Sequence, residues 1–351
     1  MLKFFLTVLF FSTLAQADSY TRDVEVDFAT LRGYSSGGTY AFKGIPYAKP
    51  PVGQLRWQRP QPLPSSNNLV RGFAYGAECK QPLVPGPKEL NPFLNLFDSP
   101  MMDILSSKGS EDCLNLNIWV PKSAQADKPV PVMFFIHGGA HTMGSNSVPM
   151  YDGRYLAERQ NVIVVSVNYR LGPLGYMAIP GKVPANLALY DVIHALKWTN
   201  KNISRFGGDV NRLTVFGESA GAGIVMALLA SPLTEGLFTS AIVQSGHPIN
   251  RPLQSAYDVA EHVSKTLGCS KYTDPLPCLK SKTASEITQA VPTGGLGDTV
   301  VVGPVVDGVV LQYSVLETFK RGLQNKVPVL MGSNKDEMNT LLPLFYQGTI
   351  N

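Results

Sequence analysis

The stretch Leu213-Thr214-Val215-Phe216-Gly217-Glu218-Ser219-Ala220-Gly221 decides the fold. Its apolar, β-branched opening reads as a buried strand, and residues 220–229 behind it read as an apolar helix. Between them, residues 217–221 have the G-x-S-x-G form, which carries meaning only at a strand-to-helix turn, and this is one. So sharp a turn strains its central residue and brings backbone close, which glycines at 217 and 221 tolerate because no Cβ intrudes. Ser219 is therefore expected at the carboxyl edge of a sheet. There its Oγ meets the positive end of the following helix, whose free N–H groups can hold a developing oxyanion.

Working outward, similar short apolar runs occur at 114–120, 130–136, 162–167, 241–243 and 327–331, each bounded by Gly, Pro, Asn or Asp. Helix-like segments at 151–159, 187–202, 257–267 and 315–320 lie between several of them. The alternation predicts an α/β fold with a central, mostly parallel sheet, helices on both faces and right-handed crossovers. Residues 18–110, punctuated by Pro50, Pro51, Pro60, Pro62 and Pro64, predict an antiparallel sheet and long loops over the same core, so 18–351 reads as one domain. A second run, Ile136-His137-Gly138-Gly139-Ala140, follows the strand at 130–135. Its small side chains let two amides turn toward one point, as further oxyanion donors must.

With 44% hydrophobic and 16% charged residues, the 351-residue chain is too apolar to be disordered and long enough to bury a core. Its charge of +4 includes no run of Lys or Arg able to neutralise a phosphate backbone, so nucleic acid is not an expected partner. Residues 1–17 carry Lys3, an apolar stretch over 4–14, and Ala15-Gln16-Ala17 before Asp18, the layout of a secretory signal peptide. About eleven apolar residues fall short of the ~20 a membrane span requires. Export to an extracellular or periplasmic compartment is expected, and there four cysteines permit three pairings. Their grouping favours Cys79 with Cys113 and Cys269 with Cys278. Asn202-Ile203-Ser204 has the form of a glycosylation sequon, a frequent chance triplet that matters only in a eukaryotic host.

Longer runs make the chain resemble the type-B carboxylesterase and lipase family, which includes cholinesterases, within the α/β-hydrolase fold. Residues 206–221 fit that family's active-serine signature, and Glu111-Asp112-Cys113-Leu114-Asn115-Leu116-Asn117-Ile118 fits its second. Further family-like runs are Phe42-Lys43-Gly44-Ile45-Pro46-Tyr47-Ala48, Pro50-Pro51-Val52-Gly53, Asn168-Tyr169-Arg170-Leu171-Gly172 and Gly303-Pro304-Val305-Val306-Asp307-Gly308, so the resemblance covers nearly all of 22–342. It implies Ser219 as nucleophile, the amides of Gly139, Ala140 and Ala220 as oxyanion hole, a structural role for His137, and a salt bridge between Arg56 and Glu111. Ala140 stands where many relatives have a third glycine; it keeps the N–H and narrows the cavity slightly. The family's disulfides agree with the pairing the grouping favours. Neither a cofactor nor a metal is implied.

In this fold the triad runs Ser, then Asp or Glu, then His. Glu337, in Gly332-Ser333-Asn334-Lys335-Asp336-Glu337, resembles the family's acid, with Asp336 and Asp307 as fallbacks. A carboxylate there would fix the imidazole tautomer and stabilise the imidazolium. Yet His137, His141, His194, His247 and His262 all precede Glu337. None occupies the family's base position; His194 and His262 are expected to be packed or partly exposed, and His141 and His247 to line the pocket. The sequence thus reads as the amino-terminal part of an esterase, incomplete at its C-terminus and nearly inactive as it stands, since losing the base can cost ~10⁶ in kcat. Its last strand is expected to be left uncovered. The leading function is hydrolysis of a small carboxylic ester through an acyl-enzyme; the rival is a catalytically silent cholinesterase-like binding or adhesion module. Cholinesterases hold a quaternary ammonium over a tryptophan shortly before the second signature. Between Pro82 and Glu111 there is none, Trp57, Trp119 and Trp198 lying elsewhere, so acetylcholine is not the expected substrate.

Overall fold

Period-two alternation sends Ile163, Val165 and Val167 to one side of a strand and Val164 to the other, and each side is covered. The computed structural model describes residues 21–82, 109–248, 250–291 and 302–337. The segment read as a signal peptide, 1–17, lies outside them. The strands are β1 (Thr21–Glu25), β2 (Thr30–Ser36), β3 (Thr39–Pro46), β4 (Leu69–Arg71), β5 (Asn115–Pro121), β6 (Val130–Ile136), β7 (Ile163–Val167), β8 (Gly208–Glu218), β9 (Ser240–Gln244), β10 (Arg251–Pro252), β11 (Val305–Val306) and β12 (Val329–Gly332). The helices are α1 (Arg154–Gln160), α2 (Gly172–Tyr176), α3 (Leu187–Asn202), α4 (Ala220–Ala230), α5 (Gln254–Thr266), α6 (Leu276–Ser281), α7 (Ala284–Gln289) and α8 (Val315–Lys320).

Among the described residues ten strands form one sheet in the order β1-β2-β3-β5-β7-β6-β8-β9-β12, with β4 beside β2. From β7 through β6, β8, β9 and β12 every pairing is parallel, and from β1 to β7 antiparallel. The sheet is therefore mixed, and its parallel half carries the elbow. The helix expected at 257–267 runs instead from Gln254 to Thr266, and two further expectations need correction. β4 pairs parallel to β2, against the all-antiparallel reading of 18–110. The helix expected from 151 begins at Arg154, because residues 149–151 form a separate 3-10 turn and the Asp152 carboxylate accepts the Arg154 N–H.

On one face, α3 and α4 bury Leu189, Val192, Leu196, Ile224, Val225 and Leu228 against Phe134, Val165 and Val215. Each such fully buried side chain contributes roughly 1.5–3 kcal/mol from area removed from water. On the other, Ala157 of α1 packs on Trp119 and Val164. Both disulfides form as the cysteine grouping favours, Cys79–Cys113 and Cys269–Cys278. Asn202 is fully buried, its Nδ2 donating to Trp198 O and Asp27 Oδ1, so the sequon at 202–204 is closed to a glycan in the folded chain. No helix among the described residues is long and apolar enough to cross a membrane.

Among the described residues the parallel half ends at β12, whose Val329, Leu330 and Met331 are 40%, 67% and 60% exposed while its backbone pairs with β9. An exposed apolar strand edge templates association. Leu330→Lys with Met331→Lys is expected to shift the 351-residue polypeptide toward monomer in light scattering. An unchanged size distribution would show that this edge drives no association.

Candidate active site

Ser219 sits between β8 and α4 at φ 54°, ψ −122°, a conformation L residues rarely adopt. The chain holds it there with Ser219 N donating to Gln244 O (2.9 Å) and Ser219 O accepting from Gly223 N (2.9 Å). The glycines of the turn are required sterically. A Cβ on Gly221 would lie 2.1 Å from Ile136 O, and one on Gly217 2.7 Å from the carbonyl carbon of Gly221. Gly221→Ala therefore forces α4 off the end of β6. It is expected to destabilise the fold by at least the ~1–3 kcal/mol of an overpacked core, measured as the urea midpoint; a wild-type midpoint would show that the helix start has room to move.

The second glycine segment comes to the same place. A Cβ on Gly138 would stand 3.2 Å from Ser219 Cβ and 2.8 Å from Glu218 Oε2, so the loop leaving β6 lies directly against the elbow. Its backbone is left-handed at three successive residues, Gly139 (φ 112°), Ala140 (φ 52°) and His141 (φ 63°). Gly139 O accepts from Thr142 N and Met143 N, both at 3.0 Å, closing the turn. Ser219 and Gly139 are half-buried and Ala140 is exposed, which leaves the site open to solvent.

Below the loop, His137 is 1% exposed, stacks on Tyr169 with centroids 4.5 Å apart, and shares a 2.8 Å hydrogen bond between Nδ1 and Gly138 O. Burial lowers it to about 4, so the ring is neutral, and since a carbonyl only accepts, Nδ1 donates. Tyr169 Oη donates to His137 O at 2.8 Å. His141 is also lowered to about 4, by burial first and by His137 second, and its Nδ1 lies 2.9 Å from Tyr176 Oη. His194 and His262 lie half-buried on α3 and α5.

Strand pairing brings Glu337 to this edge. Gln244 of β9, which accepts from Ser219 N, pairs with Gly332 of β12, and Ser245 N donates to Gly332 O at 2.8 Å. Glu337 follows within a turn and accepts from Asn334 Nδ2 at 2.7 Å. The Ser245 hydroxyl first, then the Asn334 side chain, and least His247 hold its carboxyl below the usual range. Of the fallback acids, Asp336 is exposed, and Asp307 Oδ1 accepts the N–H groups of Val309, Val310 and Leu311 (2.8–3.0 Å) in a turn of its own. Trp57, Trp119 and Trp198 are all buried, at 1%, 1% and 6% exposed.

Four features escaped the sequence reading. Glu218 stands beside Ser219 and Gly138, and burial first and the Glu337 charge second raise its carboxyl. Its place within the elbow pentapeptide was the available signal. Ser245, at φ 52°, had none. Arg170 and Asp191 form a buried ion pair, 4% and 0% exposed, and Gln81 joins the glycine loop from 63 residues away. The expected Arg56–Glu111 pair is present and bidentate, both bonds 2.6 Å.

A mixed sheet whose parallel half delivers a strained serine to its carboxyl edge, with a glycine turn from the adjacent strand laid against it, defines an α/β-hydrolase. The model of the Carboxylesterase family matches residues 21–350, and the chain belongs to that family. It is 38% identical over 335 residues to the cholinesterase of Mus musculus, covering 89% of this chain and 53% of that protein. It is 35% identical over 322 residues to the para-nitrobenzyl esterase of Bacillus subtilis (strain 168), covering 90% and 62%. Among solved structures, PNB esterase aligns with a TM-score of 0.79 at 33% identity over 94% of this chain and 66% of that one. The Geobacillus stearothermophilus carboxylesterase EST55 aligns at 0.79 and 36% over 92% and 63%. The chain thus spans between about half and just under two thirds of these relatives.

Proposed function

We propose that this chain carries the nucleophile, anion site and acid of a secreted serine carboxylesterase acting on small acyl esters. Ser219 Oγ attacks the ester carbonyl carbon as its proton passes to a base. The carbonyl oxygen takes the negative charge and accepts N–H bonds from Gly139, Ala140 and Ala220. Collapse expels the alcohol, which takes the proton back, and leaves an acyl-Ser219 ester; water then repeats the sequence and releases the acid. Glu337 fixes and charges against the imidazole that serves as base. That imidazole belongs after Glu337 in the family's order, where this sequence has no histidine. The observation that supports the reading best is the approach of Gly138 to Ser219, which brings the glycine loop beside the elbow. With no tryptophan between Pro82 and Glu111, a general acyl ester is the proposed substrate rather than a quaternary ammonium ester.

Residues 1–17 would be removed on export and 18–351 retained as one carboxylesterase-type domain, and two disulfides suit an oxidising compartment. The test is a serine-directed phosphonate applied to a chain carrying a histidine after Glu337, followed by peptide mapping. The adduct is expected on Ser219; an adduct on another serine at equal rate would overturn the assignment.

A further inference from the structure

Gln81 is 2% exposed and lies two residues beyond Cys79, whose disulfide to Cys113 anchors this part of the chain. Its side-chain amide grips the glycine loop at both ends of one residue. Nε2 donates to Gly144 O at 3.3 Å, and Oε1 accepts from Gly144 N at 3.0 Å. Because Gly144 offers one donor and one acceptor, only one orientation of the amide satisfies both. Nε2 also donates to Cys79 O at 3.3 Å, and nearby Ser147 Oγ donates to Glu78 Oε1 at 3.3 Å, so 78–81 is stitched to 144–147.

Gly144 lies against His137 and Gly138, and the Gly138 carbonyl shares its peptide unit with the Gly139 N–H. It stands at φ 106°, and a Cβ there would lie 2.6 Å from Gly138 O and 2.7 Å from His137 Nδ1. The intervening turn contains three successive left-handed residues, an arrangement that persists only when its surroundings over-determine it. Within the turn, the bonds of Thr142 N and Met143 N both fall on Gly139 O. From outside, Gly172 N donates to His141 O at 2.8 Å in the middle of the turn, and Gln81 holds its far end at Gly144.

We propose that Gln81 is a positioning residue for the oxyanion hole: by clamping Gly144 it sets the direction of the Gly139 and Ala140 amides. This rests on the reading of those amides given under the proposed function, but its test does not depend on turnover. Hydrogen exchange of the 351-residue polypeptide is compared for wild type, Gln81→Ala and Gln81→Glu. Loss of both bonds in Gln81→Ala is expected to raise exchange across 138–147 on the order of tenfold, with β8 and the interior of α4 unchanged. Gln81→Glu keeps the acceptor for Gly144 N and loses the donor, so it should fall between. Unchanged exchange at 138–147, or a rise spread evenly over β8 and α4, would overturn the proposal. In a chain that turns over esters, Gln81→Ala should lower kcat and leave KM near wild type; a change in KM alone would likewise refute it. Failure of Ser219 as nucleophile would leave the exchange result standing, so the two readings fail separately.

Discussion

Ser219→Ala is expected to lower kcat for a simple aryl ester by about 10⁶ in a chain that carries a histidine after Glu337. In the 351-residue polypeptide the same substitution should change the rate by less than about tenfold, because nucleophile and base act as a unit and losing one forfeits nearly what losing both does. The pair of measurements separates three situations. A large fall in the longer chain alone supports the assignment of Ser219 with a base beyond Glu337. Equal hydrolysis by both longer chains would remove Ser219 from the mechanism. A fall of roughly 10³ or more in the 351-residue polypeptide would mean that one of its own five histidines takes the proton, since oxyanion hole and binding alone leave only about that much catalysis over water. His247 would then be the first to replace, being exposed at the end of β9 and close enough for its charge to act on Glu337.

Asp191→Asn is expected to destabilise the fold by about 3–5 kcal/mol, read from urea unfolding, because it strands a buried guanidinium. Arg170 donates through Nε and Nη2 to the two Asp191 oxygens at 2.7 Å each, and its backbone N adds a third bond at 3.1 Å. Its remaining Nη1 reaches Gln58 O at 2.9 Å, tying the segment after β7, α3 and the loop after Trp57 together. The matching surface pair, Arg32 with Asp23, is also bidentate but 37% and 41% exposed, and Asp23→Asn should stay within about 1 kcal/mol of wild type. Equal small effects at both positions would show that water reaches Arg170 in the folded chain. The pair matters to the site through its neighbour: Tyr169, fixed by the same turn, holds the His137 carbonyl and stacks on its ring beneath the glycine loop.

How much was legible follows from range. Strand β6 and helices α3 and α8 fall on their expected bounds, because each is a periodic run closed by its own turn residues. Helices α2, α6 and α7 have five or six residues, too few for a 3.6-residue period to register, and they went unread. β8 begins at Gly208, ahead of the expected 213, since pairing of Val130 with Gly208 extends it across polar residues that no apolar pattern marks. The elbow was readable because its cause is local: two residues without side chains flanking a serine between a strand and a helix.

The amino-acid order by itself settled the covalent and short-range matters: which hydroxyl stands at the bend, which amides follow β6, and that the four cysteines group two and two. Tertiary structure decided everything that depends on residues distant in sequence meeting in space. It set the mixed pairing of the sheet, the convergence of Glu218, Ser245 and Glu337 at one edge, the burial of Arg170 against Asp191, and the grip of Gln81 on Gly144. A charge or an amide carries no mark of its partner in one dimension. Only the packed chain, by removing water and leaving each polar group to find what lies nearest, assigns one.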